Sequence, residues 1–169
     1  MIHSSISEME EGLPQEYPVS IVMERRTSPS RWSSESWEVI GIAAGAAPTA
    51  GEPGVGRKIH EDGKSSHYLL SGFSLRLHRD ECESYYHNLM TPHPRCFVVA
   101  RQDEEEQMPL PFLVSMSFDE AHAYLEAGDP IYAVDVPAEL YKWCEAFVLA
   151  HYVPQRKYKR KLTSWKKGA

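Results

Sequence analysis

Nowhere in the chain do about 18 apolar residues run together, so no segment reads as a membrane-spanning helix. A secretory signal is missing as well: Glu8, Glu10, Glu11 and Glu16 stand where a basic start and an apolar core would be needed. Cysteine is scarce. Cys82, Cys96 and Cys144 leave one thiol unpaired in any intramolecular scheme and form no Cys-x-x-Cys pair, the usage of a reducing compartment where thiols serve as small apolar side chains. The cytoplasm is therefore the expected location. There is no Gly-x-Ser-x-Gly elbow and no internal repeat, and Ser, His and Asp fall in no order that assembles a triad, so no catalytic residue is assigned. Basic residues are outnumbered, 18 Lys and Arg against 24 Asp and Glu, and a formal charge of −6 argues against a general nucleic-acid partner.

What remains is a chain of 169 residues, enough to bury roughly two-thirds of its unfolded surface in one core. Residues 1–16 offer little to bury and read as a disordered acidic leader, 17–155 as a single domain, and 156–169 as a disordered basic tail. Val19, Ile21 and Met23 alternate with polar neighbours as a half-buried strand, and Trp37 to Ala43 reads as a strand buried on both faces. Between Gly45 and Lys64 seven glycines and prolines and no hydrophobic period predict a long mobile loop. His67–Leu70, Ser71-Gly72 and Phe73–His78 predict a tight hairpin. Asp80 and Glu83 have capping-box spacing before the apolar stripe Cys82, Tyr85, Tyr86, Leu89 and Met90, a helix that Pro92 and Pro94 stop.

Two strands, Arg95 to Arg101 and Leu110 to Ser117, follow as an antiparallel pair around the acidic stretch at 103–106. Ser117 and Glu120 make a second capping box, opening a helix whose Phe118, Ala121, His122 and Leu125 share one side before Gly128 stops it. An extended piece at Ile131–Val134 precedes a longer helix with Leu140, Trp143, Cys144, Phe147, Val148 and His151 at helical spacing, ended by Pro154. Hairpin strands interrupted and then followed by helices predict an α+β fold, an antiparallel sheet or small open barrel with two or three helices packed on one side.

His78, Cys82, His87, His93 and Cys96 place five possible metal ligands within 19 residues. Their spacing departs from structural zinc sites, Cys82 lies on an apolar helix stripe and Cys96 opens an apolar strand, so both thiols are assigned to the core. His78, His87 and His93 are left as candidate ligands, with no metal expected. The loop Gly51 to Lys58 has the glycines of a phosphate cradle, but Arg57 precedes Lys58, Ile59 replaces the hydroxyl that would hold magnesium, and no helix follows. Arg57 and Lys58 are the candidates it leaves for holding phosphate. His122 and His151 fall on apolar helix faces and read as packed histidines, and Glu24-Arg25-Arg26 reads as a solvated strand end.

Partner binding is assigned to Trp32, beside a serine-rich stretch, and to Arg156, Lys157, Lys159, Arg160 and Lys161 of the tail. The tail carries seven of the 18 basic residues and no acidic one, which leaves −13 on residues 1–155. Such a tail could grip phosphates, anionic lipid, an acidic protein face or its own domain.

Several motifs occur together: Val19-Ser20-Ile21-Val22-Met23-Glu24-Arg25-Arg26, Trp37-Glu38-Val39, Leu77-His78-Arg79-Asp80-Glu81, Tyr85-Tyr86-His87-Asn88-Leu89 and Val114-Ser115-Met116-Ser117-Phe118-Asp119-Glu120-Ala121. With Tyr141-Lys142-Trp143 and His151-Tyr152, the chain over about residues 17–155 resembles a proteobacterial domain of unknown function encoded beside formate dehydrogenase genes. Some members of that group carry labels linking them to molybdopterin-guanine dinucleotide synthesis. The resemblance brings no catalytic residues and no cofactor. It implies a non-catalytic accessory or assembly factor whose partners are a molybdenum-containing formate dehydrogenase or its maturation proteins. The alternatives are a nucleotide- or molybdopterin-handling enzyme or carrier and, further off, nucleic-acid binding through the tail.

Overall fold

A computed structural model describes residues 15–27, 35–45, 56–102 and 108–154. Trp32, most of the leader and of the glycine-rich stretch, the acidic loop and the basic tail lie outside the described residues. Among the described residues two antiparallel sheets and three helices make up the α+β fold that the sequence predicts. The first sheet holds β1 (Glu16–Arg26), β2 (Ser36–Ala44), β3 (Gly56–Glu61) and β4 (Ser65–Arg76) in the order β2-β1-β4-β3. The second holds β5 (Arg95–Gln102), β6 (Pro109–Ser115) and β7 (Ile131–Asp135) in the order β6-β5-β7. The helices are α1 (Cys82–Leu89), entered through a 3-10 turn at Arg79–Glu81, α2 (Phe118–Glu126) and α3 (Ala138–His151). Among the described residues no helix is long and apolar enough to cross a membrane.

Strand β6 runs beside β4 and β7 beside β2, so the two sheets flank one core without closing into a barrel. Val19, Ile21 and Met23 of β1 meet Leu70 and Leu75 of β4, Val98 of β5, Tyr85 of α1 and Phe147 of α3 in that core. Strand β5 is apolar on both sides. Its Cys96 and Val98 point into the main core, whereas Phe97 and Val99 join Ala121 of α2 in a smaller cluster on the opposite face. Helices α1 and α3 pack together over the main core, and α2 lies alone across the outer face of the second sheet.

Several elements differ from the sequence reading for local reasons. Strand β2 is a sheet edge rather than a doubly buried strand. Met23 pairs with Val39 and Val22 with Gly41, so Ile40 bulges out and stands 39% exposed while Val39 and Ile42 both reach the core. The expected loop up to Lys64 contains β3, and the expected hairpin at Ser71-Gly72 is a bulge within one continuous β4. There Ser71 and Gly72 together face the single Ser20 between the pairs Val19–Phe73 and Ile21–Leu70, and Gly72 adopts φ +91°. The hairpin turn sits instead at Asp62-Gly63, where Asp62 Oδ1 accepts the Lys64 and Ser65 N–H groups at 2.8 Å each.

At the start of α1 no side chain caps the helix, because Glu81 rather than Asp80 occupies the cap position and its carboxylate is engaged elsewhere. The second capping box forms by half. Ser117 Oγ accepts the Glu120 N–H at 3.1 Å, while the Ser117 N–H goes to Ser115 Oγ. Gly128, at φ +97°, follows the end of α2 as expected.

The two backbone donors at the Asp62 turn hold its carboxyl down to about 2, from an ordinary value of 3.8. A folded value below the unfolded one means that the turn is stabilised above pH 3.8 and loses that support as pH falls toward 2. The Lys64 and Ser65 amide proton shifts are expected to titrate with a midpoint near 2 by NMR. In Asp62→Asn that titration is expected to vanish.

Candidate functional site

The end of α1, the start of β5 and the start of α2 enclose a cleft of about 400 Å³, lined by Ser84, His87, Asn88, Thr91, His93, Arg95, Phe97, Phe118 and Asp119. Its floor is held by the buried Asn88. The Asn88 Nδ2 group donates to the carbonyls of Arg95 and Met116 at 2.7 and 2.9 Å, and Oδ1 accepts the Arg95 N–H at 3.0 Å. One amide thus joins the entry to β5 and the exit from β6 from a position on α1, at the end where the β5–β6 pairing, which begins at Phe97 and Ser115, does not reach. Thr91 Oγ1 closes the helix end by donating to the Asn88 carbonyl at 2.7 Å.

A second network fixes α2. Ser117 Oγ, wholly buried, donates to Glu81 Oε2 at 2.6 Å, shares a hydrogen bond with Ser84 Oγ at 3.0 Å and caps α2 through Glu120. Burial pushes the Glu120 carboxyl upward against the pull of His78, and Glu81 and Asp80 push it further. Around the mouth, His87 Nε2 lies 3.7 Å from Glu83 Oε1 and Arg95 Nη1 2.8 Å from Asp135 Oδ1. The apolar wall is the edge-to-face pair Phe97 and Phe118, with ring centroids 5.8 Å apart.

The same two phenylalanines open on a neighbouring hollow of about 240 Å³, lined also by Ala121, His122, Leu125, Ile131 and Ala133. Together the two make a groove along α2. Here the structure corrects the sequence reading. Of the stripe Phe118, Ala121, His122 and Leu125 only Ala121 is buried, while Phe118 is 53% and Leu125 49% exposed. The outer face of the second sheet is narrow, and Phe97, Val99 and Ala121 alone complete its buried cluster. His122 is consequently half-exposed, its ring 5.1 Å from that of Phe118, whereas His151 packs on Phe147 at 4.6 Å as expected.

Of the candidate residues, the fold brings His87 and His93 into the cleft. His78 is not among its lining residues; its backbone N–H donates to Tyr85 Oη at 2.9 Å. No group of three or more His, Cys, Asp or Glu among the described residues is placed to hold a metal ion. Arg57 and Lys58 lie on β3, the fully exposed edge of the other sheet, where Lys58 Nζ pairs with Glu61 at 3.0 Å. Trp32, Arg156, Lys157, Lys159, Arg160 and Lys161 lie outside the described residues. Cys82, Cys96 and Cys144 are buried free thiols, and burial raises all three, Cys144 to about 12, so they stay protonated at neutral pH.

The end of β1 is less solvated than its sequence suggests. Glu24 is buried and hydrogen-bonds Arg26 and, at 2.8 Å, His67 Nε2, and these partners hold its carboxyl below the ordinary range. Arg25 pairs with Glu35 and lies over the Trp37 ring, which in turn packs on Tyr68.

Sequence reasoning missed Ser84, Asn88, Thr91, Arg95, Phe97 and Asp119. A signal for part of the set exists, because Ser84, His87, Asn88 and Thr91 stand at i, i+3, i+4 and i+7, a polar stripe on the other side of α1 from its apolar one. The phenylalanine wall has no such signal, because sheet pairing rather than sequence spacing brings it to α1.

A model for the family described as Protein of unknown function (DUF3305) matches residues 18–161. No curated protein and no solved structure matches the chain.

Replacing Asn88 by Ala orphans the Arg95 N–H and two carbonyls. With about 1–3 kcal/mol lost for a buried polar group left unpaired, the variant is expected to lose at least about 2 kcal/mol in urea unfolding. His93→Ala at the exposed mouth of the same cleft is expected to stay within about 0.5 kcal/mol of wild type.

Proposed function

We propose that this chain, which belongs to the DUF3305 family of proteins of unknown function, is a non-catalytic accessory or assembly factor for a molybdenum-containing formate dehydrogenase or its maturation proteins. The observation that carries the binding role is the groove along α2, where a phenylalanine and a leucine stand half-exposed beside a cleft with a rigid floor. The polar groups of that floor are engaged within the fold: Asn88 and Thr91 on backbone and Ser84 on Ser117. Engaged in this way, they give the cleft a fixed shape. The thiols are protonated and buried, which favours binding over redox or nucleophilic work. The choice of formate dehydrogenase rests on the sequence motifs that resemble a domain encoded beside its genes.

A second reading is a carrier for a nucleotide or pterin. It is favoured by the size of the cleft and by the Phe97–Phe118 pair beside the Arg95 guanidinium, a pairing suited to a flat heteroaromatic ring bearing an acid group. Calorimetry with guanine nucleotides and with pterin is expected to give heat of binding if this reading holds, and none if the groove serves a protein.

Copurification tests the first reading. A tagged chain, expressed in its host while the dehydrogenase is made, is expected to bring down the dehydrogenase or a maturation protein. The pair Phe118→Ser and Leu125→Ser is expected to recover about tenfold less, the loss of roughly one contact worth 1.4 kcal/mol. Recovery of the wild-type chain as a lone monomer under those conditions overturns the proposal.

A further inference from the structure

We propose that residues 155–169 lie back along the groove beside α2 as a ligand supplied by the chain itself, with Leu162 and Trp165 on the apolar wall and the cations on its acidic rim.

Three observations lead there. The first is where the described chain ends. Beyond α3 the Tyr152 ring stacks on Tyr86 of α1, centroids 5.0 Å apart and planes 25° from parallel. The Tyr86 ring meets that of His87 at 5.6 Å, and His87 lines the cleft. The last described residues are thus two ring contacts from the mouth of the groove.

The second is length. Fifteen residues follow Pro154, with Leu162 eight and Trp165 eleven positions beyond it. At about 3.3 Å per extended residue these side chains reach up to roughly 26 and 36 Å. The nine-residue helix that forms the side of the groove is only about 14 Å long at 1.5 Å per residue.

The third is complementarity. Residues 155–169 carry seven cations and no carboxylate side chain, and Leu162 and Trp165 are large apolar residues set among them. The groove presents Phe118 and Leu125 half-exposed, with Asp119 and Glu126 along the helix. Arg95 is the one Lys or Arg on its walls among the described residues, and Asp135 already pairs with it. A cationic segment with two apolar anchors matches an apolar wall flanked by Asp119 and by Glu126, whose Oε1 lies 3.9 Å from His122 Nδ1.

Joined by so short a tether, the segment meets the groove at a high effective concentration, so any partner entering the groove competes with it. Segment and groove both belong to this chain, so their contact forms whatever the partner is and without any dehydrogenase present.

The test uses the full chain. Lys167→Cys is labelled with a nitroxide; the three native thiols are buried and protonated, so the label goes to the new one. Loss of the Phe118, His122, Leu125 and Ala133 amide signals by NMR is the expected result, unchanged on dilution. The signals are expected to return as salt is raised, because the rim charges are exposed and screened. In the labelled protein carrying Phe118→Ser and Leu125→Ser, where both residues are half-exposed and the core is untouched, the amides of 122 and 133 are expected to keep their intensity. Loss confined to the neighbourhood of Tyr152 overturns the proposal, as does loss spread over another acidic face. Loss that fades on dilution overturns it in favour of a second copy of the chain as occupant.

Discussion

Strand β5 has no face left for water, and the rest of the molecule is arranged around that constraint. Five consecutive residues, Cys96 to Ala100, are buried, which a strand achieves only when both of its faces and both of its edges are covered. Strands β6 and β7 take the edges, the main core takes one face, and α2 has to take the other. The capping serine, the Glu81 carboxylate and Asn88 then follow as the means of anchoring α2 and of turning α1 into β5 without leaving buried backbone groups unpaired. The groove is a by-product of the same arrangement, because a helix of nine residues cannot cover a three-stranded sheet completely.

Much of this was legible in the sequence wherever periodicity and burial coincide. The unbroken run Cys-Phe-Val-Val-Ala announces a strand, the spacing from Leu140 to Val148 announces α3, and Gly128 announces a helix end. Reading failed where a bulge shifts the phase. Ile40 and the pair Ser71-Gly72 each insert a residue, so alternation read straight through them assigns a doubly buried strand in one place and a turn in the other. It failed again at β3, whose six residues are all exposed and so carry no hydrophobic pattern; the Asp62-Gly63 turn was the cue available.

The candidate site was half legible. Ser84, His87 and Asn88 lie on one helix, with Thr91 just past its end, and the four could be grouped by spacing alone, while Phe97 and Phe118 reach them through a strand pairing that no local pattern encodes. The imidazoles and thiols that cluster between 78 and 96 illustrate the opposite hazard. Proximity along the chain separates in space once a helix and a strand intervene, so Cys82 and Cys96 enter the core while His87 and His93 face the cleft. Helix α2 misleads in a third way, since an amphipathic pattern records that a face is apolar without recording what covers it.

Strand β3 forms one outer edge of the first sheet, and Arg57, Lys58, His60 and Glu61 place polar and charged side chains on either side of the half-exposed Ile59. Bare strand edges recruit copies of themselves, and ionised side chains set along the edge make each such pairing pay for desolvation and like-charge contact. The residues that most resemble a phosphate clamp therefore double as guards against fibril-like stacking. The hairpin that carries this edge belongs to the first sheet and the groove to the second, so a substitution in the groove leaves the charges of that edge in place.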